Sequence, residues 1–141
     1  LYGILRPLDL MKPYRLEMGT RLKNERGSNL YEFWGDRLTL ALQNALEQHN
    51  EKVLVNLASN EYFHAIDRKK LNARIINCQF KEERDGKFKF ITIYGKKARG
   101  LMARFIIDNR IDKPEDLKAF DLENYYFNTD FSDKDDFVFT R

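Results

Sequence analysis

The chain has 141 residues, with 25 Lys plus Arg against 22 Asp plus Glu, two His, one Cys and 43% hydrophobic residues. That length fits a single domain spanning residues 1–141, able to bury about 70% of its unfolded surface, and 13% aromatic content argues for a packed core although 33% of the residues are charged. No apolar run approaches the roughly 18–20 residues of a membrane span, and the lone Cys78 excludes both an internal disulfide framework and a zinc site built on several thiolates, so a protein of a reducing, cytoplasmic compartment with no membrane contact is expected.

In chain order, Leu1 to Asn24 holds two of the three prolines and reads as loops and short pieces. Pro7 and Pro13 each push the preceding residue toward extended geometry. Ser28 or Asn29 then caps a helix, with Glu32 placed for a capping box. Leu30, Phe33, Trp34, Leu38, Ala41, Leu42, Ala45 and Leu46 follow helical spacing, which predicts one helix running to about His49. Val53-Leu54-Val55-Asn56-Leu57 is almost wholly apolar, as expected of a strand covered on both faces. Ser59 caps a short helix holding Tyr62, Phe63 and Ile66.

Ala73 to Phe80 and Lys87 to Tyr94 are β-rich runs, and Asp85-Gly86 between them signals a hairpin. Lys96 to about Arg110 reads as a helix with Ala98, Leu101, Met102, Phe105 and Ile106 on its apolar stripe. Gly100 weakens it by about 1 kcal/mol relative to Ala, a cost that often marks close packing. Asp112-Lys113-Pro114 opens a short helix ending near Phe120. The tail, Asn124 to Arg141, alternates aromatics with acids and adds one or two edge strands. The expected fold class is α+β, with a small mixed β-sheet and packed helices.

Charge is unevenly distributed along the chain. Residues 1–110 carry 21 basic and 13 acidic side chains, a balance of +8, and residues 111–141 carry 4 and 9, a balance of −5. The basic part is where an anionic partner is to be sought. Lys96-Lys97-Ala98-Arg99-Gly100, with Arg104 beyond, follows a strand and opens a helix, where free N–H groups and basic side chains suit phosphate. Cations at a helix start oppose its dipole by about 0.3–1 kcal/mol unless an anion is bound. A solvated helix face is the competing reading. The turn Asn109 to Pro114, between this helix and the next, can present backbone amides to a DNA phosphate, but it holds no glycine, and an ordinary helix–turn–helix packing unit is the stronger reading of it.

Arg6-Pro7-Leu8-Asp9 and Pro13-Tyr14-Arg15-Leu16-Glu17-Met18-Gly19 offer two guanidinium forks for phosphate or carboxylate. Pairing with Asp9 and Glu17, to pin an irregular segment, is the reading the residues alone favour. Asn56-Leu57-Ala58-Ser59-Asn60-Glu61-Tyr62-Phe63 places polar groups at a strand end, a common ligand position in α/β sheets, although Ser59 is more simply a helix cap. The sequence has no nucleophile elbow, P-loop or dinucleotide fingerprint, and the reading calls for no cofactor, resident metal or catalytic residue.

Taken in series, Leu1-Tyr2-Gly3-Ile4-Leu5-Arg6-Pro7-Leu8-Asp9, Pro13 to Gly19, Asn29-Leu30-Tyr31 with Phe33-Trp34, Asn56-Leu57-Ala58-Ser59 with Glu61-Tyr62-Phe63, and Lys96-Lys97-Ala98-Arg99-Gly100 with Arg104-Phe105-Ile106 resemble the YaaA family of bacterial peroxide-stress proteins over essentially the whole chain. Family members are longer and carry an N-terminal part with a Ser-Pro-Ala-Lys motif, so the resemblance implies the C-terminal portion of such a protein. It further implies a cytosolic protein that helps the cell survive hydrogen peroxide by limiting unincorporated iron. DNA binding through a positively charged cleft, with a helix-hairpin-helix element in a fold of its own type, is implied as well.

The residues and the resemblance together lead to an expected binder of the DNA phosphate backbone, without strong sequence specificity. Lys96, Lys97, Arg99 and Arg104 form one bank of phosphate contacts, and Arg6, Arg15 and Arg21 a second. One rival is an enzyme acting on an anionic small molecule in a cleft lined by Arg6, Arg15, Asn56, Ser59, Glu61 and Lys97. Another is direct iron sequestration by Glu61, His64 and tail carboxylates.

Overall fold

The structure, a computed structural model, describes residues 2–6 and 8–141. The expectation for Pro7, and Leu1 at the head of the first motif, lie outside the described residues. The chain divides into two compact units, Leu1–Lys52 with Ala58–Ala73, and Val53–Leu57 with Arg74–Arg141. The first carries 11 basic and 9 acidic side chains and the second 14 and 13, balances of +2 and +1. The linear split into a basic body and an acidic tail is therefore erased within the second unit, where the tail folds among basic residues.

In the first unit no helix precedes Leu30 among the described residues, as the proline content implies. Helix α1 (Leu30–Trp34) begins at Asn29, whose backbone is extended and whose side-chain Oδ1 accepts the Glu32 N–H at 3.0 Å. Glu32 reaches back and accepts from the Ser28 N–H at 2.7 Å, so the capping pair spans Ser28, Asn29 and Glu32. Such a cap contributes about 1 kcal/mol. The single long helix expected from the spacing is broken. Gly35 adopts φ 48°, ψ −128°, a conformation closed to residues with a Cβ, and its N–H donates to Tyr31 O as the last bond of α1. Helix α2 (Arg37–Leu46) then starts afresh and ends three residues before His49.

Helix α3 (Asn60–Phe63) is capped by Ser59, whose hydroxyl accepts the Tyr62 N–H. A small core of Met18, Leu30 and Ala65, with Leu16, Tyr31, Trp34 and Leu38 packed against it, holds this unit together.

The second unit is built on a mixed sheet of β1 (Val53–Asn56), β2 (Arg74–Arg84), β3 (Lys87–Lys89), β4 (Tyr126–Phe127) and β5 (Asp136–Thr140). The order is β1-β2-β5-β4, with β3 paired to the far end of β2. Strands β1 and β5 both run parallel to β2, and β3 and β4 are antiparallel additions. Asp85 and Gly86 both take positive φ, 55° and 71°, as a two-residue hairpin turn requires. Two strand expectations need correction. Strand β1 is half-buried at the sheet edge rather than covered on both faces. The tail supplies an edge strand in β4, but β5 lies inside the sheet, because Phe137, Val138 and Phe139 are buried on both faces.

The α+β class with a small mixed sheet is as expected. Helix α4 (Thr92–Asp108) packs on the sheet through Ala98 and Met102, with Leu101, Phe105 and Ile106 alongside, the stripe its spacing predicts. It begins one turn earlier than expected, so β3 stops at Lys89 and does not continue to Tyr94. Phe80 lies at the centre of the core, its ring 5.4 to 5.8 Å from Phe120, Tyr125 and Phe139. Burying each such side chain contributes roughly 1.5–3 kcal/mol. Among the described residues no helix is long and apolar enough to cross a membrane.

Candidate nucleic-acid interface

Because α4 starts at Thr92, Lys96 and Lys97 lie beyond its first turn rather than opening it. The first-turn amides and the dipole argument therefore do not reach them, since both effects fade within one turn. Side-chain placement remains. Lys96, Lys97, Gly100 and Arg104 are all exposed, and the i, i+4, i+8 spacing of Lys96, Gly100 and Arg104 aligns these three along one side of the helix. A Cβ added at Gly100 would meet nothing within 4 Å, so no close packing within this chain explains that glycine. The tight glycine is instead Gly95, whose added Cβ would strike the Phe90 ring at 2.3 Å.

The basic groups differ in what already occupies them. Lys97 Nζ lies 2.5 Å from Glu123 Oε1, and this bond holds the Glu123 carboxyl below its usual range. Arg104 pairs with Asp108 at 2.8 Å, one turn along the helix. Arg99 is half-buried, and its Nε donates to Gly95 O at 3.1 Å. Lys96 has no ion-pair or hydrogen-bond partner among the described residues. In the first unit, Arg6 donates its N–H and its guanidinium to Asp9, which lowers the Asp9 carboxyl. Arg15 and Arg21 have no such partner among the described residues. The two banks fall in different units, and each stands as described within its own.

The turn after α4 is a helix stop in which Arg110 takes the left-handed position, φ 51°, that glycine usually fills. The N–H groups of Asn109, Arg110 and Ile111 donate back to Phe105 O, Ile107 O and Ile106 O. Those three amides are spent inside the protein, so a phosphate contact in this region would fall to side chains. The segment that follows is a 3-10 turn over Pro114–Ala119.

Residues of the enzymatic rival have structural duties. Asn56 donates to Asn77 Oδ1 at 2.9 Å, Ser59 is a cap, and Glu61 accepts the Met18 N–H at 2.9 Å. For the iron rival, His64 packs edge-on against Tyr31 at 5.3 Å, and among the described residues no three His, Cys, Asp or Glu side chains gather as a metal site.

Sequence reasoning missed a network on the sheet beside α4. Glu82 is buried, and its carboxylate accepts from the Tyr125 hydroxyl and twice from Arg141 Nε at 2.9 Å. The Arg141 guanidinium lies over the Tyr94 and Tyr125 rings at 5.0 and 4.7 Å. Its Nη1 donates to Glu123 Oε2 and to the Glu123 carbonyl, both at 3.3 Å. Burial, and then the bond to Glu82, push the Tyr125 hydroxyl well above its ordinary value. Glu82 sits in a charged stretch, Lys81 to Arg84, that reads as solvated hairpin. The available signal was parity, since Ile76, Cys78, Phe80 and Glu82 share the inward face of β2.

A protein-family model described as "Peroxide stress protein YaaA" matches residues 1–131.

Proposed function

The chain belongs to the peroxide stress protein YaaA family, which gives it a role in peroxide stress, and from that premise we propose that it binds the DNA phosphate backbone and so helps limit damage from hydrogen peroxide and unincorporated iron. The observation that carries this reading is the exposed side of α4. Two cations, Lys96 and Arg104, flank a position with no side chain, so a phosphate can approach the helix between them. The iron arm is indirect in this reading, because Glu61 and His64 are engaged in hydrogen bonding and packing. A single buried thiol, Cys78, fits a reducing cytoplasm.

Binding of a labelled duplex, followed by fluorescence anisotropy across a salt series, tests the proposal. The logarithm of affinity falls against the logarithm of salt by about 0.9 per phosphate neutralised. Replacing Lys96, Lys97 and Arg99 together by Ala flattens that slope by about two to three units when these groups touch phosphate. An unchanged slope in a folded triple variant overturns the assignment.

A further inference from the structure

We propose that Lys97 and Arg141 form a phosphate-binding pair whose resident counter-ion is Glu123, and that a ligand phosphate binds by displacing the Glu123 carboxylate. The inference rests on the phosphate-binding reading above and adds to it a cation, Arg141, and a competing internal anion.

Three separate elements converge on the pair. Lys97 comes from α4, Arg141 follows β5, and Glu123 lies in the turn that precedes β4. The Glu123 carboxylate spends one oxygen on each cation, Oε1 on Lys97 at 2.5 Å and Oε2 on Arg141 at 3.3 Å. Two donors spaced to take the two oxygens of a carboxylate are also spaced to take two oxygens of a phosphate.

The two sides of the site differ in firmness. Arg141 is anchored independently of Glu123, by the paired bonds from Nε to buried Glu82 and by the rings of Tyr94 and Tyr125. Its guanidinium keeps its orientation when the Glu123 carboxylate leaves, and the Nη1 donation now made to Oε2 passes to the ligand while the bond to the Glu123 carbonyl stays. The Lys97 and Glu123 side chains are 60% and 37% exposed, the setting in which an ion pair contributes little and exchanges with solvent anions.

The Glu123 backbone points the same way. Glu123 and the following Asn124 both take left-handed φ, 54° and 61°, in a turn closed by the Tyr125 N–H donating to Leu122 O. Neither position holds the glycine that this geometry favours. The Glu123 side chain, rather than local backbone preference, accounts for an acid at this point of the turn.

The test compares the wild-type chain with Glu123→Gln and Glu123→Gly, the second of which removes the carboxylate while easing the turn. The probes are a labelled mixed-sequence duplex, read by anisotropy, and inorganic pyrophosphate, read by calorimetry. Both variants are expected to bind the duplex roughly threefold or more tightly, with a salt slope steeper by about one unit, as one freed cation implies. Adding Lys97→Ala to Glu123→Gln abolishes the gain. Folded Glu123 variants that bind no more tightly than wild type overturn the proposal, and the DNA reading survives that outcome if the triple variant of the preceding section still loses slope. If no form binds duplex, the DNA reading fails and pyrophosphate decides the pair. Tighter pyrophosphate binding by Glu123→Gln upholds the site, and unchanged binding removes it.

Discussion

Gly100→Ala separates the folding role of α4 from the binding role proposed for it. Gly100 lies inside a 17-residue helix, is exposed, is not among the residues of positive φ, and offers open space where a Cβ would go. Nothing in the folded chain therefore resists the methyl group. The substitution gains the difference in helix propensity, about 0.8–1 kcal/mol, chiefly by restricting the unfolded chain. With a urea dependence of roughly 1–3 kcal/mol per molar, the unfolding midpoint rises by about 0.3–1 M at unchanged slope. Urea titration followed by circular dichroism measures this directly. The same methyl group stands between Lys96 and Arg104, so duplex affinity falls while stability rises. A destabilised Gly100→Ala refutes the packing argument, and unchanged affinity refutes a close phosphate approach at this turn.

Two further outcomes follow from the second unit. Burial pushes the Cys78 thiol from 9.0 up to about 12, so above pH 9 the unfolded chain loses a proton that the folded chain keeps. Stability is fully present below pH 9 and falls by about 1.4 kcal/mol per pH unit as pH rises toward the folded value. Urea titrations at alkaline pH check this, and Cys78→Ala removes that share of the slope; a Cys78→Ala chain with the same alkaline dependence refutes it. Arg110→Gly relieves the left-handed backbone at the end of α4 and raises stability by about 1 kcal/mol. Thermal or urea unfolding reads that gain, and a loss of stability shows that the Arg110 side chain holds the turn.

Local chemistry made part of the fold legible. Asn29 with Glu32, Ser59, and Asp85-Gly86 each solve a backbone problem within four residues, so their geometry follows from neighbours alone. The apolar stripe of α4 was legible for the same reason. Its start was not, because Ile91, Thr92 and Ile93 favour strand locally. Tyr94, Ala98 and Met102 nevertheless repeat every four residues, and burying Ala98 and Met102 against the sheet outweighs that preference. The central place of β5 depended on a parallel pairing with β2 from 59 residues away, which no local pattern encodes. The candidate site followed the same rule. Arg6, Lys97 and Arg104 stood out as residue types, and Asp9 and Asp108 lie within four residues of their partners. Glu123, in contrast, is far from Lys97 in sequence and Glu82 far from Arg141, a cation that no local pattern singled out.

That distribution of partners sets how an anion meets this protein. With balances of +2 and +1, neither unit projects a field strong enough to gather DNA from a distance. In the proposed site, attraction then comes from cations that have no ion-pair partner among the described residues, such as Lys96, and from those whose acid is exposed and can be exchanged, such as Lys97. At Lys97 and Arg104 a phosphate contact first requires an internal carboxylate to leave, so the salt slope expected of the proposed site is shallower than its number of cations implies. The acid residues of the tail are thus competitors for the same cations, and removing one of them strengthens binding where a simple basic surface would show no gain beyond the change in net charge.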